Sequence, residues 1–287
     1  MKKSIIYTID ENTSYSKIFF RKIKSFLKVF FSFSINDFYG TLNFLRFRFK
    51  IRRHIIRKFK DIHKNQTIFI IGSGPSLDNE NLEILNDKIL ISYNFSFQAL
   101  EKIKSKKIYS CISGARINAS ADLDRSIFDA SFRFPGAKED EIINPKSIKS
   151  SDIILPVPYK FYLYKIKDGA GGFSFDISRE FRLSGGSSGL LSCIQLAVYM
   201  GANKIVLLGT DFDSQDETKT HFSKANFKKT AQGDLNSVEW YDFKKKDIFE
   251  ALKRLKNILD VYNIELINAS SYTSEKILKK KKLDTFA

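Results

Sequence analysis

At 287 residues, with 43% hydrophobic and 28% charged residues, the chain has the composition of a folded protein of one large or two small domains, not of a disordered one. Two cysteines, Cys111 and Cys193, are too few for a disulfide framework and point to a reducing cytoplasm, and the three histidines form no His-x-x-x-His pair that would argue for a metal centre. The net charge of +16 is unevenly spread, and no apolar run reaches the roughly 20 residues that a membrane span requires.

The charge is concentrated at the start of the chain. Residues 1–64 carry 16 Lys/Arg against 4 Asp/Glu and are rich in phenylalanine. The first ten residues lack the sustained apolar core of a signal peptide. Lys17–Ser32 interleaves apolar and basic residues, so a helix there has one aromatic and one cationic face. That pattern suits an anionic membrane surface better than plain packing on the domain, and better than nucleic acid, for which the chain has no recognisable motif. Residues 1–64 therefore read as a basic, aromatic-rich helical extension, whose last part, Arg46–Lys64, leads as a helix into the first core strand.

Thr67–Ile71 is that strand, and it runs into Gly72-Ser-Gly-Pro-Ser-Leu77. Asn79–Leu85 reads as a short helix, Lys88–Asn94 as a second strand ending in Asn94, and Lys106–Ile112 as a third. Ser151–Val157 reads as a fourth. Two glycine-rich stretches follow, Asp168–Gly172 and Ser184–Gly189. Leu190–Met200 has helical apolar spacing and stops at Gly201. Asn203–Asp211 contains the most apolar strand, Asp247–Tyr262 is an amphipathic helix, and Ile264–Asn268 is a short strand. Lys279–Lys282 is a charge run expected to be solvated. Strands that are apolar throughout and alternate with helices imply a parallel sheet covered on both faces. The expectation is an α/β, Rossmann-like, doubly wound and mostly parallel sheet over residues 65–270, with a lid or insertion within 113–185 and a basic tail at 271–287.

Ligands of such sheets bind beyond the carboxyl ends of the strands, and the small residues cluster there. Gly72, Ser73, Gly74, Pro75 and Ser76 follow the first strand; the dinucleotide fingerprint Gly-x-Gly-x-x-Gly is not met, because position 77 is leucine. Taken alone, this is as well explained by a tight strand-to-helix turn. Ser187, Ser188 and Gly189 open a helix, where hydroxyls and bare amides suit either an anion or a simple N-cap. Asp211 closes the most apolar strand. His221 lies in a polar loop, where a base titrating near neutral pH is as plausible as a surface histidine. Asn94 is a turn residue or a donor to a ligand.

In this order, the strand into Gly-x-Gly-Pro-Ser-Leu, the strand ending in Asn, the Ser-Gly helix start and the strand into Gly209-Thr-Asp-Phe212 resemble the bacterial lipo-oligosaccharide sialyltransferases, glycosyltransferase family 42. They also resemble a related family of motility-associated glycosylation and 6-hydroxymethylpterin diphosphokinase-like proteins. The resemblance covers about residues 67–114 and 184–267. It implies a variant Rossmann domain, a cytidine-monophosphate-activated donor, no metal or other cofactor, and inversion with a histidine base. Carried over, Gly72, Ser73, Gly74, Pro75 and Ser76 contact the nucleotide, and Asn94 faces the donor. Ser187, Ser188 and Gly189 lie against the donor sugar, Asp211 contacts the nucleotide, and His221 is the base. The tyrosines that follow the Gly-x-Asp-Phe motif in the sialyltransferases are missing: Asp213 follows Phe212, and the next tyrosine is Tyr241. Lys219 is the candidate for their role, although an ammonium is not a phenol. Arg182 stands near the Ser-Gly turn but out of register with the family's arginine.

The expected function is transfer of sialic acid or a related nonulosonic acid to a lipo-oligosaccharide or capsule acceptor. The enzyme would be cytoplasmic and peripheral on the inner face of the membrane, held to anionic lipid through residues 1–64. Its partners would be a nucleotide-sugar donor and a glycan or lipid-linked acceptor, without nucleic acid; the oligomeric state is left open. Two alternatives stand beside it. One is a pterin-type diphosphokinase using ATP and magnesium at Asp211, Asp213 and Asp216. The other is a nucleotide-binding module without catalysis.

Overall fold

A computed structural model describes residues 53–100, 103–105, 107–114, 116–134, 144–155, 177, 188–211, 238–271 and 278–287. Residues 1–52, Asp168–Gly172, Ser187, Lys219 and His221 lie outside the described residues.

Eight strands form one sheet in which every described pairing is parallel. They are β1 (Thr67–Ile71), β2 (Ile89–Tyr93), β3 (Lys107–Ser113), β4 (Ala130–Phe134), β5 (Ile153–Ile154), β6 (Lys204–Leu208), β7 (Glu265–Asn268) and β8 (Lys279–Lys280), in the order β5-β4-β3-β2-β1-β6-β7-β8. The chain starts in the middle at β1 and steps outward to β5. It then returns to the other side of β1 as β6 and steps outward again. The direction reverses between β1 and β6, which makes their carboxyl ends the switch point of an α/β, Rossmann-like sheet.

The apolar strands are buried on both faces, as their composition requires. On one face Ile68, Ile70, Ile91, Ile205 and Leu207 pack under two helices, α3 (Gly189–Tyr199) and α4 (Val238–Val261). α3 is apolar nearly all round, lies across β1, β2 and β3, and is buried along almost its whole length. α4 buries Ala251, Leu252, Leu255, Ile258 and Leu259, a helical stripe, and carries an exposed Lys256–Asp260 ion pair. On the other face Phe69, Ile71, Leu90, Val206 and Leu208 pack under short 3-10 turns at Pro75–Asn79, Leu82–Leu85 and Leu283–Phe286.

The described start of the chain belongs to this body. Helix α1 (Arg53–Arg57) buries Ile56, and the Tyr199 hydroxyl donates to the Ile56 carbonyl at 3.2 Å. Asp61, His63 and Asn65 donate their backbone N–H groups to the carbonyls of Tyr199, Met200 and Gly201. The terminal carbonyls of α3 are thereby satisfied by the approach to β1. Two strands were not foreseen. Ala130–Phe134, within the 113–185 stretch expected to hold a lid or an insertion, is β4, with β2, β3 and β5 on the same side of the sheet. Lys279 and Lys280 form β8, an edge strand beside β7, so half of the lysine run pairs with the sheet, while Lys279 and Lys282 stay exposed as a solvated charge run would. Short α2 (Arg116–Ala119) links β3 toward β4.

Candidate functional site

The turn after β1 folds against the turn after β6. The Gly72 N–H donates to the Leu208 carbonyl at 2.7 Å and the Gly74 N–H to the Gly209 carbonyl at 2.8 Å. A Cβ on Gly72 would stand 2.3 Å from the Gly209 oxygen, and one on Gly74 2.4 Å from the Asp211 Oδ2. A backbone carbonyl thus explains Gly72, and the Asp211 carboxylate explains Gly74. Gly209 has φ +62, a conformation open to glycine. Pro75 opens the first 3-10 turn, where its missing N–H costs nothing.

Asp211 points into this contact. Its Oδ2 accepts the Ser76 N–H at 2.6 Å, while its Oδ1 is buried without a hydrogen-bond partner, as is the Ser76 Oγ. Burial pushes the Asp211 carboxyl above its ordinary range; the contact with Ser76 opposes this, Glu80 adds to it and Lys280 offsets part of it. Glu80 in turn accepts from the Ser271 N–H and hydroxyl, and the Lys280 ammonium donates to the Ser271 carbonyl at 2.8 Å. With the amides of Gly72, Gly74 and Ser76 committed, Ser73 holds the N–H of this turn that takes no part in these bonds.

A second group sits beside it, beyond the ends of β2 and β3. Asn94 follows β2 in the left-handed region, φ 54, and is 5% exposed. Its Oδ1 accepts from both the N–H and the hydroxyl of Ser113, at 3.1 and 3.3 Å. The Tyr93 hydroxyl lies 3.4 Å from the Ser113 Oγ. The start of α3 closes this corner: a Cβ on Gly189 would fall 2.7 Å from the Tyr93 ring and 2.8 Å from the Ser113 Oγ. Ser188 caps α3, its Oγ accepting the Leu190 N–H at 3.2 Å. The Ser96 hydroxyl, which accepts the Tyr93 N–H and donates to the Ile71 carbonyl, ties the two groups together.

The structure thus places Gly72, Ser73, Gly74, Pro75, Ser76, Asn94, Ser188, Gly189 and Asp211 along the carboxyl edge of one sheet, around the switch point. Tyr93 and Ser113 belong to the same corner and were missed. Each ends a strand, but only the β2–β3 register, with Tyr93 opposite Cys111, brings Ser113 to Asn94. Among the described residues no group of three or more His, Cys, Asp or Glu is placed to hold a metal ion. No described helix is long and apolar enough to cross a membrane.

No protein-family model and no curated protein matches the chain. Among solved structures, the sialyltransferase CstII from Campylobacter jejuni, in complex with the substrate analogue cytidine-5'-monophosphate, is similar with a TM-score of 0.42 and 14% identity, over 77% of this chain and 86% of that one.

Proposed function

We propose that the chain is a glycosyltransferase that takes sialic acid or a related nonulosonic acid from a cytidine-monophosphate-activated donor and delivers it, with inversion, to a surface glycan. The supporting observation is the gathering of Asn94, the Ser188–Gly189 helix start and Asp211 around the switch point between β1 and β6. The sequence resemblance supplies the donor class.

In this reading the two groups of residues divide the donor between them. Asp211 has an unpartnered acceptor oxygen, so it faces hydroxyl or amino groups of the nucleoside and not the phosphate. The Ser73 amide, the start of α3 and the Asn94 side chain face anionic oxygens. The acceptor hydroxyl attacks the anomeric carbon from the side opposite the phosphate. The carbon–oxygen bond to the phosphate breaks, and cytidine monophosphate leaves with the electron pair. His221 takes the hydroxyl proton, and Lys219 balances the charge of the departing phosphate. Of the basic extension, residues 1–52 hold the enzyme at anionic lipid, near a lipid-linked acceptor, because the stretch from Arg53 onward packs on the sheet.

The test is release of cytidine monophosphate from CMP-sialic acid by the purified full chain, with and without a lipo-oligosaccharide acceptor and with chelator present. Turnover in chelator is expected, together with its loss, by about 100-fold or more, in His221→Ala. No consumption and no binding of the donor would overturn the assignment; unchanged turnover in His221→Ala would remove that residue from the mechanism.

A further inference from the structure

We infer that Tyr93 and Ser113 are positioning residues that lock the Asn94 side chain with its amino group outward, making this corner of the site a receptor for an anionic oxygen. The inference rests on the proposed function for the identity of the ligand, but not for the hydrogen bonds themselves.

A carboxamide has a donor end and an acceptor end, and a ligand reads whichever end faces it. The Ser113 backbone N–H can only donate, and it reaches the Asn94 Oδ1 at 3.1 Å. The oxygen end of Asn94 is therefore turned inward. The Ser113 hydroxyl donates to the same oxygen at 3.3 Å, which occupies both of its lone pairs. With its own proton committed, the Ser113 Oγ is left as an acceptor, and the Tyr93 hydroxyl at 3.4 Å donates to it. The chain of donation runs from Tyr93 to Ser113 to Asn94.

What remains is the Asn94 Nδ2, with two N–H bonds and no partner among the described residues, on a side chain that is 5% exposed. The start of α3 packs against the same hydroxyls, as the short distances from Gly189 to Tyr93 and Ser113 show. A phosphate or carboxylate oxygen is the group that accepts from the two N–H bonds of this amino group.

The experiment compares the full chain with Ser113→Ala, Tyr93→Phe and Asn94→Asp. Cytidine monophosphate, cytidine and inorganic phosphate are titrated by calorimetry, while the Asn94 side-chain 15N–1H pair, identified by its absence in Asn94→Asp, is followed by NMR. Affinity for cytidine monophosphate is expected to fall about 100-fold in Asn94→Asp, about 5-fold in Ser113→Ala and about 3-fold in Tyr93→Phe, with cytidine changed less than about 2-fold. Ser113→Ala and Tyr93→Phe that bind cytidine monophosphate like the wild type, or lose it and cytidine equally, would overturn the inference. If the wild type ignores cytidine monophosphate while inorganic phosphate still shifts the Asn94 pair, and Ser113→Ala weakens that shift, the donor assignment fails and the positioning role stands.

Discussion

Gly72 is a glycine because another backbone stands where its side chain would be. The carbonyl oxygen of Gly209 occupies that space at 2.3 Å, so the small residues after β1 join two turns before they meet any ligand. The sequence showed where the turn was; it could not show that the amides of Gly72 and Gly74 were already committed, since their partners lie over 130 residues along the chain. The same holds for Asn94, whose partner Ser113 becomes visible only through the strand register. Asp211 lends itself to a direct test. Its carboxyl is held above the ordinary 3.8 by burial, so the native state binds the proton more tightly than the unfolded one. Wild-type stability therefore falls as pH rises through the window above 3.8. Asp211→Asn keeps an acceptor for the Ser76 N–H but does not titrate. Denaturant midpoints should shift in favour of the variant as pH rises through that window; a difference independent of pH would refute the argument.

Among the elements, β1, β2, β3, β6 and β7 were legible because each is an apolar run bounded by turn residues. β4 was not, because its fourth residue is an arginine. Arg133 is fully buried, and the structure accommodates it with small side chains and an ion pair. Ser92, Ser110 and Ser131 occupy one register level across β2, β3 and β4, and Arg133 reaches the Ser110 hydroxyl at 3.4 Å. Asp152, just before β5, lies 3.2 Å from Arg133 and 3.4 Å from Arg125. Burial pulls the Arg133 guanidinium down to about 10 even though Asp152 opposes the shift. One carboxylate thus holds two guanidinium groups, and the two sides of the cluster are unequal. Asp152→Ala leaves both cations without it and should cost about 3–5 kcal/mol. Arg133→Met keeps the Arg125–Asp152 pair and fills the space with an apolar chain, for a loss under about 2 kcal/mol. Urea unfolding of the two variants measures the difference, and equal losses would show that the cluster does not work as described.

For the molecule as a whole, a pH window follows from the lower end of the sheet. His63 is buried there and meets the Tyr109 hydroxyl at 2.8 Å. Burial, with help from Lys107, lowers the His63 imidazole below its ordinary 6.5. Burial, with help from Asp129, pushes the Tyr109 hydroxyl from 10.0 up to about 12. Below pH 6.5 the unfolded chain gains a proton at His63 that the native state resists, so stability declines as the solution is acidified. Above pH 10.0 the unfolded chain loses one at Tyr109 that the native state keeps, so stability declines again. Midpoints should be highest between these limits, and Tyr109→Phe should reduce the alkaline decline; a decline of the same size in that variant would count against the pairing.

The central strand also depends on a distant stretch of chain. Phe69 of β1 is covered edge to face by Phe286, with ring centroids 5.6 Å apart, and Leu283 is buried beside it. A ribosome delivers residue 69 long before residue 286. Until then the turns at Pro75–Asn79 and Leu82–Leu85 can cover this face of the strand, but the part of Phe69 that Phe286 and Leu283 cover has no shield. Chaperones that hold unfinished chains have a place to grip there, and a product cut short before residue 283 would leave that part of Phe69 uncovered.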